Sequence, residues 1–212
     1  MLRFQERSER GGAHAENEDC VVRVPHSSGG IRSLCFLADG QGGRQDGAVA
    51  ARVACDSASI AANQFGWNEL TLPSSWDTIF SKADKSVRGA CLGFTTLIGF
   101  ATDGAFLCGG AVGDSKLFVA GTDANMVELS QRQQKNPPIG GGCHSTTFLY
   151  TEAFECLLAV TDGVWKYAGH EALVQAMFGP VDEAAMVLRA AVIARNGPEL
   201  PDDFTVLAAS KI

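Results

Sequence analysis

The 212-residue sequence lacks the features of several large protein classes. No apolar run approaches the 18 or so residues that a membrane span needs. Residues 1–12 carry charges from the third residue onward and contain no apolar stretch of a signal peptide. We therefore expect a cytoplasmic protein that makes no contact with a membrane. The 7 cysteines are dispersed and never spaced as CxxC, which favours small apolar packing residues over a zinc site or a disulfide framework.

Basic charge is also scarce. The chain has 17 Lys and Arg against 24 Asp and Glu, a net charge of −7, and the basic residues form no block. Nucleic-acid binding needs a basic face that displaces counterions, so we expect no nucleic-acid partner. The sequence contains no internal repeat and no low-complexity linker. Its length suits one buried core, which predicts a single domain over residues 1–212.

Short apolar segments separated by glycine, asparagine and aspartate predict eight strands. These cover residues 20–24, 31–38, 94–101, 105–112, 115–120, 144–151, 154–161 and 203–209. The Ser-Ser-Gly-Gly sequence at 27–30 predicts a turn between the first two strands, and Asp103-Gly104 predicts a hairpin between the next two. Several strands are apolar on both faces, as expected for strands buried between two layers.

Helices are predicted at residues 44–63, 73–90, 170–178 and 182–195. The first is rich in alanine, the second has proline near its start, and the last opens with acids and closes on Arg195 before Asn196-Gly197. The order is therefore strands, two helices, strands, helices and a strand. This order predicts an α+β layered domain.

Acidic residues recur at the ends of the predicted strands. They are Glu18, Asp19, Asp39, Asp114, Asp162, Asp202 and Asp203. Strand ends at one edge of a sheet converge in space, and carboxylates packed together repel one another unless cations lie between them. Oxygen ligands without His or Cys favour Mg²⁺ or Mn²⁺. A single Asp-Gly is usually only a turn, so the metal-site hypothesis depends on the whole set.

Taken in order, these segments resemble the PP2C-type (metal-dependent, PPM) protein phosphatases, from about residue 12 to residue 209. The matching elements are Asn17-Glu18-Asp19 for NED, Asp39 to Gly43 for DGxGG, Gly93 to Thr96 for a GTT-like strand, Gly113-Asp114-Ser115-Lys116 for GDSR, Asp162-Gly163-Val164-Trp165 for DGxW, and Asp202 to Val206 for DNxTV. DGxGG alone is a weak signal, whereas the full set in family order is a specific one.

The resemblance implies a four-layer α/β/β/α sandwich of two mostly antiparallel sheets. It also implies a compact bacterial protein serine/threonine phosphatase with two Mn²⁺ or Mg²⁺ ions. The expected substrate is a phosphoprotein, itself the product of a Ser/Thr kinase. Two such cations generate a hydroxide from water, which attacks phosphorus in line without a phosphoenzyme.

Residue roles follow from the resemblance, motif by motif. Asp39 bridges the two cations, with Asp162 and Asp202 completing one site. Glu18 and the carbonyl of Gly40 serve the other site.

Two further acids have separate implied roles. Asp114, together with Asp162, matches the position of a third, weaker ion in bacterial members. Asp19 matches an acceptor that orients metal-bound water. The expected catalytic residues are thus Asp39, Asp162 and Asp19.

Three positions depart from the family pattern. His14 stands where the family has a phosphate-binding arginine, so His14 is the expected substrate-binding residue, the alternative being a loop residue without a role. Arg44 or Lys116 could compensate for the missing guanidinium. Gln41 occupies the middle of DGxGG, where some eukaryotic members have a histidine that acts as a general acid. The segment between Asp114 and Asp162 is short, which predicts a small flap and an open site.

Two other functions compete with a protein phosphatase. One is a phosphatase-like binding or regulatory module without catalysis, which the presence of all the metal-binding acids disfavours. The other is a phosphatase of a small phosphorylated metabolite, which an open site would accommodate.

Overall fold

Two antiparallel sheets lie between two layers of helices in the computed structural model, which describes residues 1–12, 14–41, 46–122 and 125–212. The strands within these ranges are β1 (Leu2–Glu9), β2 (Asp19–Pro25), β3 (Ser33–Asp39), β4 (Leu97–Thr102), β5 (Leu107–Val112), β6 (Lys116–Ala120), β7 (Met126–Glu128), β8 (Thr146–Tyr150), β9 (Cys156–Val160) and β10 (Phe204–Lys211). The helices are α1 (Gly47–Ala62), α2 (Pro73–Ala90), α3 (Asp162–Ala168), α4 (His170–Phe178) and α5 (Ala184–Asn196). Glu69–Thr71 and Val181–Glu183 form short 3₁₀ helices.

Each sheet has five strands. The first has the order β2-β3-β4-β5-β8 and the second the order β1-β10-β9-β6-β7, with antiparallel pairing between the described neighbours. Helices α1 and α2 cover the first sheet, and α3, α4 and α5 cover the second. This is the α/β/β/α sandwich that the family resemblance implied, and the predicted α+β class is confirmed.

Strand β3 shows why the layers form. Leu34, Phe36 and Ala38 belong to the core cluster under α1 and α2, whereas Cys35 and Leu37 belong to the cluster between the two sheets. Because side chains alternate across a strand, a segment that is apolar at every position must be covered on both sides. The prediction of strands buried on two faces is confirmed here.

Small residues dominate the buried face of one helix in the first helix layer, and its neighbour contributes large ones. The buried face of α1 is mostly alanine, which allows the helix to approach the sheet closely, and α2 contributes the fully buried Trp76. The indole N–H of Trp76 donates to the carbonyl of Leu70 at 3.0 Å, so its one polar atom is satisfied. Within the described ranges, no helix is both long and apolar enough to cross a membrane.

Most predicted elements are found, with ends shifted by a few residues. The helices predicted at 73–90 and 170–178 are confirmed at both ends. The helix predicted at 44–63 is observed from Gly47, and residues 44 and 45 lie outside the described residues. The start of the helix predicted at 182–195 was wrong, because the 3₁₀ helix Val181–Glu183 precedes α5.

Two strands and one α-helix were not predicted, and neither were the two 3₁₀ helices. Strand β1 reads as a charged terminus, yet it pairs with β10 along its whole length as an edge strand. Helix α3 begins at Asp162, where the sequence predicted the end of a strand and a cation ligand but no helix. Strand β7 has three residues, too few for an alternating pattern.

Asp84 ties the loop before β8 to helix α2. One carboxylate oxygen accepts the N–H groups of Gly140 (2.9 Å), Gly142 (2.9 Å) and Cys143 (3.2 Å), and the other bonds the guanidinium of Arg88. Burial alone would raise the pKa of Asp84, but these N–H donors and Arg88 together hold it below its ordinary value. The charged form therefore stabilises the folded loop.

We predict that Asp84→Ala lowers the free energy of unfolding by about 2–3 kcal/mol, because it removes a charged acceptor and leaves N–H groups without a hydrogen-bond partner. Asp84→Asn keeps an acceptor oxygen and should cost less. In the wild-type protein, the stabilisation by the Asp84 carboxylate is fully present above the ordinary carboxyl pKa. It is lost as the pH falls through the lowered pKa of Asp84 in the folded protein. Urea unfolding at pH 7 and at pH 3 measures both effects. A change below about 0.5 kcal/mol for Asp84→Ala at pH 7 would contradict the assignment.

Candidate metal centre

Three aspartates from separate segments meet at one end of the sandwich. Asp39 ends β3, Asp114 lies in the turn between β5 and β6, and Asp162 begins α3. One carboxylate oxygen from each lies within 4.8 Å of the others. They line a cavity of 440 Å³ together with His14, Gly40, Gln41, Thr96 and Asp202.

The pairing of the strands produces this convergence. Asp39 is directly opposite Asp19 in the pairing of β2 with β3. In the second sheet, Val160 pairs with Val206 of β10, so Asp162 and Asp202, which flank these strands, come to the same end. Side chains that are far apart in sequence are thus brought together by strand register.

Two threonines fix the backbone of Asp39. The hydroxyl of Thr95 donates to the Asp39 carbonyl at 2.8 Å, and the N–H of Asp39 donates to the hydroxyl of Thr96 at 3.0 Å. The Thr96 hydroxyl also bonds Ser115, the residue after Asp114, at 3.0 Å. The GTT-like strand therefore connects the two acidic segments.

Two glycines allow the backbone to pack closely around the acids. A Cβ on Gly40 would overlap the carbonyl of Gly47 at the start of α1, and a Cβ on Gly163 would overlap the carbonyl of Asp203. The N–H of Gly40 donates to the Glu18 carbonyl at 3.0 Å. Larger residues at either position would push the acidic segments apart.

Glu18 and Asp19 lie behind the cavity. The carboxylate of Glu18 packs against the first residue of α1, and its buried Oε2 atom has no hydrogen-bond partner among the described residues. The hydroxyl of Thr161 donates to Oδ2 of Asp19 at 2.8 Å, and the N–H of Thr205 donates to the same hydroxyl at 3.1 Å. Asp19 is therefore held firmly, whereas Glu18 keeps an unused oxygen.

The crowding of carboxylates shifts their pKa values upward. Burial raises the pKa of Asp39 well above its ordinary value, and the charges of Asp19 and Asp162 raise it further. Burial also raises the pKa of Asp19 to about 8, against the opposing effect of its threonine hydrogen bonds. Burial, and then the charge of Asp162, raises the pKa of Asp202. Metal-free, this arrangement of acids is electrostatically unfavourable.

Asp203 is an anchor that the sequence did not reveal. Only 3% exposed, it accepts the N–H of Gly11 at 2.6 Å and the N–H of Glu18 at 2.7 Å. Its Oδ2 is also 2.9 Å from Nδ1 of His14, whose Nε2 is 3.6 Å from Oδ1 of Asp202. The hydrogen bond to Asp203 raises the pKa of His14 despite burial. Asp203 thus fixes the segment that carries both His14 and Glu18.

Two lysines next to the acids were also missed. Nζ of Lys166 is 2.5 Å from Oδ2 of Asp162 and 4.0 Å from Oδ2 of Asp114, and Nζ of Lys135 is 2.8 Å from the same Asp114 atom. Lys166 follows Asp162 by four residues, a spacing that would have indicated the pair had α3 been predicted. Lys135 lies in a loop, where no local pattern identifies it.

The structure brings together most of the residues that the sequence selected. His14, Asp39, Gly40, Asp114, Asp162 and Asp202 line one cavity, with Glu18 and Asp19 immediately behind it. Lys116 does not line this cavity and instead pairs with Glu128 at 3.0 Å. Arg44, with Gly42 and Gly43 of the DGxGG element, lies outside the described residues.

The donor set fits divalent cations. The three converging carboxylates and Oε2 of Glu18, which has no hydrogen-bond partner in the described part of the chain, offer oxygen ligands, the kind that Mg²⁺ and Mn²⁺ prefer. Cations between these groups would also offset the repulsion that raises their pKa values.

Comparison with known proteins gives a match in structure alone. No family model and no curated protein sequence matches the chain. The catalytic domain of the serine/threonine protein phosphatase PstP, in complex with two manganese ions, is 22% identical with a TM-score of 0.80, covering 99% of this chain and 97% of that chain. The Mycobacterium tuberculosis phosphatase PstP/Ppp is 22% identical with a TM-score of 0.79, over 99% and 98% of the two chains. The S. agalactiae serine/threonine phosphatase is 16% identical with a TM-score of 0.81, over 100% of both chains.

These similarities extend over nearly the full length of each chain, so all four layers correspond. At such low identity they establish the fold, which is that of bacterial serine/threonine phosphatases, and leave the chemistry to be argued from the site.

We predict that Asp39→Asn stabilises the metal-free protein, because it removes a buried charge that its neighbours oppose. Since the folded pKa of Asp39 is raised, the free energy of unfolding of the wild-type protein in a chelator should fall as the pH rises above the ordinary carboxyl pKa, and this loss should be smaller in the variant. At pH 8 the free energy of unfolding of Asp39→Asn should exceed that of the wild type by about 1 kcal/mol or more, which corresponds to a Tm higher by roughly 2–4 °C.

Asp103→Asn, in the hairpin between β4 and β5, is the matched control and should leave Tm unchanged. Thermal unfolding in EDTA makes the comparison. An Asp39→Asn protein that is less stable than wild type without metal would show that repulsion does not dominate at this residue.

Proposed function

We propose that the chain is a metal-dependent serine/threonine protein phosphatase of the PP2C type. The observation that carries the proposal is the convergence of Asp39, Asp114 and Asp162 from three distant segments. Acids on unrelated segments gain nothing from meeting unless something of opposite charge lies among them. The two manganese ions in the complex of PstP, whose fold this chain shares, agree with that interpretation.

The ligands fall into two sets. In our proposal Asp39 would be a ligand of both cations, and Asp162 and Asp202 would complete one of the two sites. The carbonyl of Gly40 and Glu18, whose Oε2 has no hydrogen-bond partner among the described residues, would hold the other cation.

Asp114 stands apart from these five ligands. Its Oδ2 atom is 2.8 Å from Nζ of Lys135, and Nζ of Lys166, which is 2.5 Å from Oδ2 of Asp162, is 4.0 Å away. We propose it as a ligand of a third, weaker ion, which would have to displace these ammonium groups.

The chain's own groups position the reactants. Divalent cations, when bound, would lower the pKa of the attacking water and offset the negative charge on the phosphoryl oxygens. Asp19, fixed by the hydroxyl of Thr161, orients that water as a hydrogen-bond acceptor. His14 lies on the cavity wall with its ring held by Asp203, where it donates to a phosphoryl oxygen through Nε2.

The substrate class follows from the openness of the site. The segment between Asp114 and Asp162 is short, so phosphoserine or phosphothreonine on a protein surface reaches the acids without a large flap in the way. The substrate would then be a phosphoprotein made by a Ser/Thr kinase, and Mn²⁺ or Mg²⁺ the working ion. A cytoplasmic location agrees with such a partner.

We predict hydrolysis of p-nitrophenyl phosphate and of phosphothreonine peptides that requires Mn²⁺ or Mg²⁺. Asp39→Ala and Asp162→Ala should each lower kcat at least about 100-fold, because each removes a cation ligand. Asp103→Ala should retain full activity. Steady-state rates with and without chelator provide the measurement. Absence of turnover at saturating metal would instead favour a non-catalytic binding module.

We also predict that His14→Ala raises KM for p-nitrophenyl phosphate about tenfold, the worth of one charged hydrogen bond. His14→Arg should keep KM at or below the wild-type value, since guanidinium binds phosphate through two N–H groups. Tm of both variants separates this effect from loss of the contact with Asp203. An unchanged KM in a folded His14→Ala protein would assign phosphate binding to another residue.

A further inference from the structure

A second cavity, of 560 Å³, adjoins the candidate metal centre and has no part in the chemistry proposed above. Its apolar lining includes Phe118 of β6, Trp165 of α3 and Leu173 of α4, and all three residues of β7 contribute to one side. We refer to this cavity as the β7 groove. Its volume is in the range of sites that hold ligands.

Trp165 forms the wall between the β7 groove and the metal centre. Its indole N–H donates to the carbonyl of Asp114 at 2.9 Å, so the ring has a fixed orientation. Trp165 follows Asp162 by three residues in α3, a rise of about 4.5 Å along the helix axis. A chain with one residue at the metal centre therefore reaches the groove within a few residues.

The groove runs along the edge of strand β7. Successive side chains of a strand point to opposite faces, yet Met126, Val127 and Glu128 all line the groove. A cavity that touches three consecutive residues of a strand lies against its edge. β7 is the last strand of its sheet and pairs only with β6 among the described strands.

The register identifies which backbone groups face outward. The N–H of Leu129 donates to the carbonyl of Leu117 at 2.9 Å, and in antiparallel pairing the hydrogen-bonded residue pairs alternate. Val127 therefore exchanges hydrogen bonds with Val119 of β6. The N–H and C=O groups of Met126 and Glu128 point away from β6, along the open edge.

The charged groups of the groove are fixed by one another. Nζ of Lys116 is 3.0 Å from Oε2 of Glu128 and lies 4.5 Å from the centre of the Trp165 ring. Gln131 and His170 are the other polar residues of the lining, and its apolar part consists of Phe118, Met126, Val127, Leu173 and the Trp165 ring. This surface suits an apolar side chain, and the strand edge suits an extended backbone.

We propose that the β7 groove binds the phosphoprotein substrate beside its phosphorylated residue, as an extended segment that pairs with β7 and places one apolar side chain against Trp165. The inference rests on the proposed phosphatase function. Because an extended residue spans about 3.3 Å, the apolar side chain belongs about two to four residues from the phosphoserine or phosphothreonine.

Met126→Pro tests the strand edge, with Met126→Ala as its matched control. Proline removes the outward N–H of residue 126 and keeps the pairing of Val127 with Val119, whereas alanine removes only the side chain. With Mn²⁺ bound, we expect kcat/KM for a phosphopeptide of about nine residues to fall roughly two- to tenfold further in the proline variant than in the alanine variant. Rates on p-nitrophenyl phosphate should match wild type in both.

A modified substrate tests the same contact with wild-type enzyme and does not depend on the folding of a variant. In a set of phosphopeptides, each methylated on one backbone nitrogen two to four residues from the phosphothreonine, at least one peptide should show a similar loss of kcat/KM. Replacing the apolar residue at that distance by Asp should lower kcat/KM further. Equal kcat/KM for all these peptides, or equal values for the proline and alanine variants, would overturn the proposal. Absence of p-nitrophenyl phosphate hydrolysis by the wild-type protein would instead remove the proposed function, and this inference with it.

Discussion

Repulsion among carboxylates that the two sheets force together is the constraint on which the rest of the site depends. Two like charges about 4 Å apart at a protein surface oppose each other by on the order of 4 kcal/mol. The fold nevertheless holds Asp39, Asp114 and Asp162 that close, and burial raises the pKa of Asp39 well above its ordinary value. Lys135 and Lys166 offset part of the repulsion from one side. Bound cations would offset the remaining repulsion, and the phosphatase function that we propose depends on these cations.

The pairing register of the strands determines which acidic side chains meet at the site. Asp39 and Asp19 are opposite each other in one sheet, and the strand ends of the other sheet bring Asp162 to the same end of the sandwich. The threonines after α2 and the close approaches at Gly40 and Gly163 then set the backbone of each acidic segment. The anchors are hydrogen bonds to backbone, which do not depend on a bound ion. The scaffold can therefore hold the acids ready before any cation arrives.

Much of this architecture could be predicted because its strands are apolar on both faces. Segments such as 31–38 and 154–161 have only one stable place, between a helix layer and a second sheet, and their acidic ends then mark the edge of that sheet. The helices predicted at 73–90 and 170–178, which are α2 and α4, were predicted at their observed ends. The acids were selected by position at strand ends, and the structure places them around one cavity.

What escaped prediction depends on long-range contacts. The charged strand β1 is a strand because β10 offers it a partner, and no local pattern contains that information. Asp203 is an anchor because Gly11 and Glu18, almost two hundred residues away in sequence, present their N–H groups to it. Lys135 reaches Asp114 from a loop. Such roles belong to the tertiary structure and cannot be read from neighbouring residues.

Anomalous diffraction from a crystal grown with Mn²⁺ would show directly whether cations lie among the acids. We expect at least two strong manganese peaks at the end of the sandwich, each with the Asp39 carboxylate within coordination distance, roughly 2.0–2.6 Å. Occupancy should vanish in Asp39→Ala crystals grown in the same way. Manganese bound elsewhere, or a wild-type crystal with the acids still converged and no peak among them, would contradict this expectation.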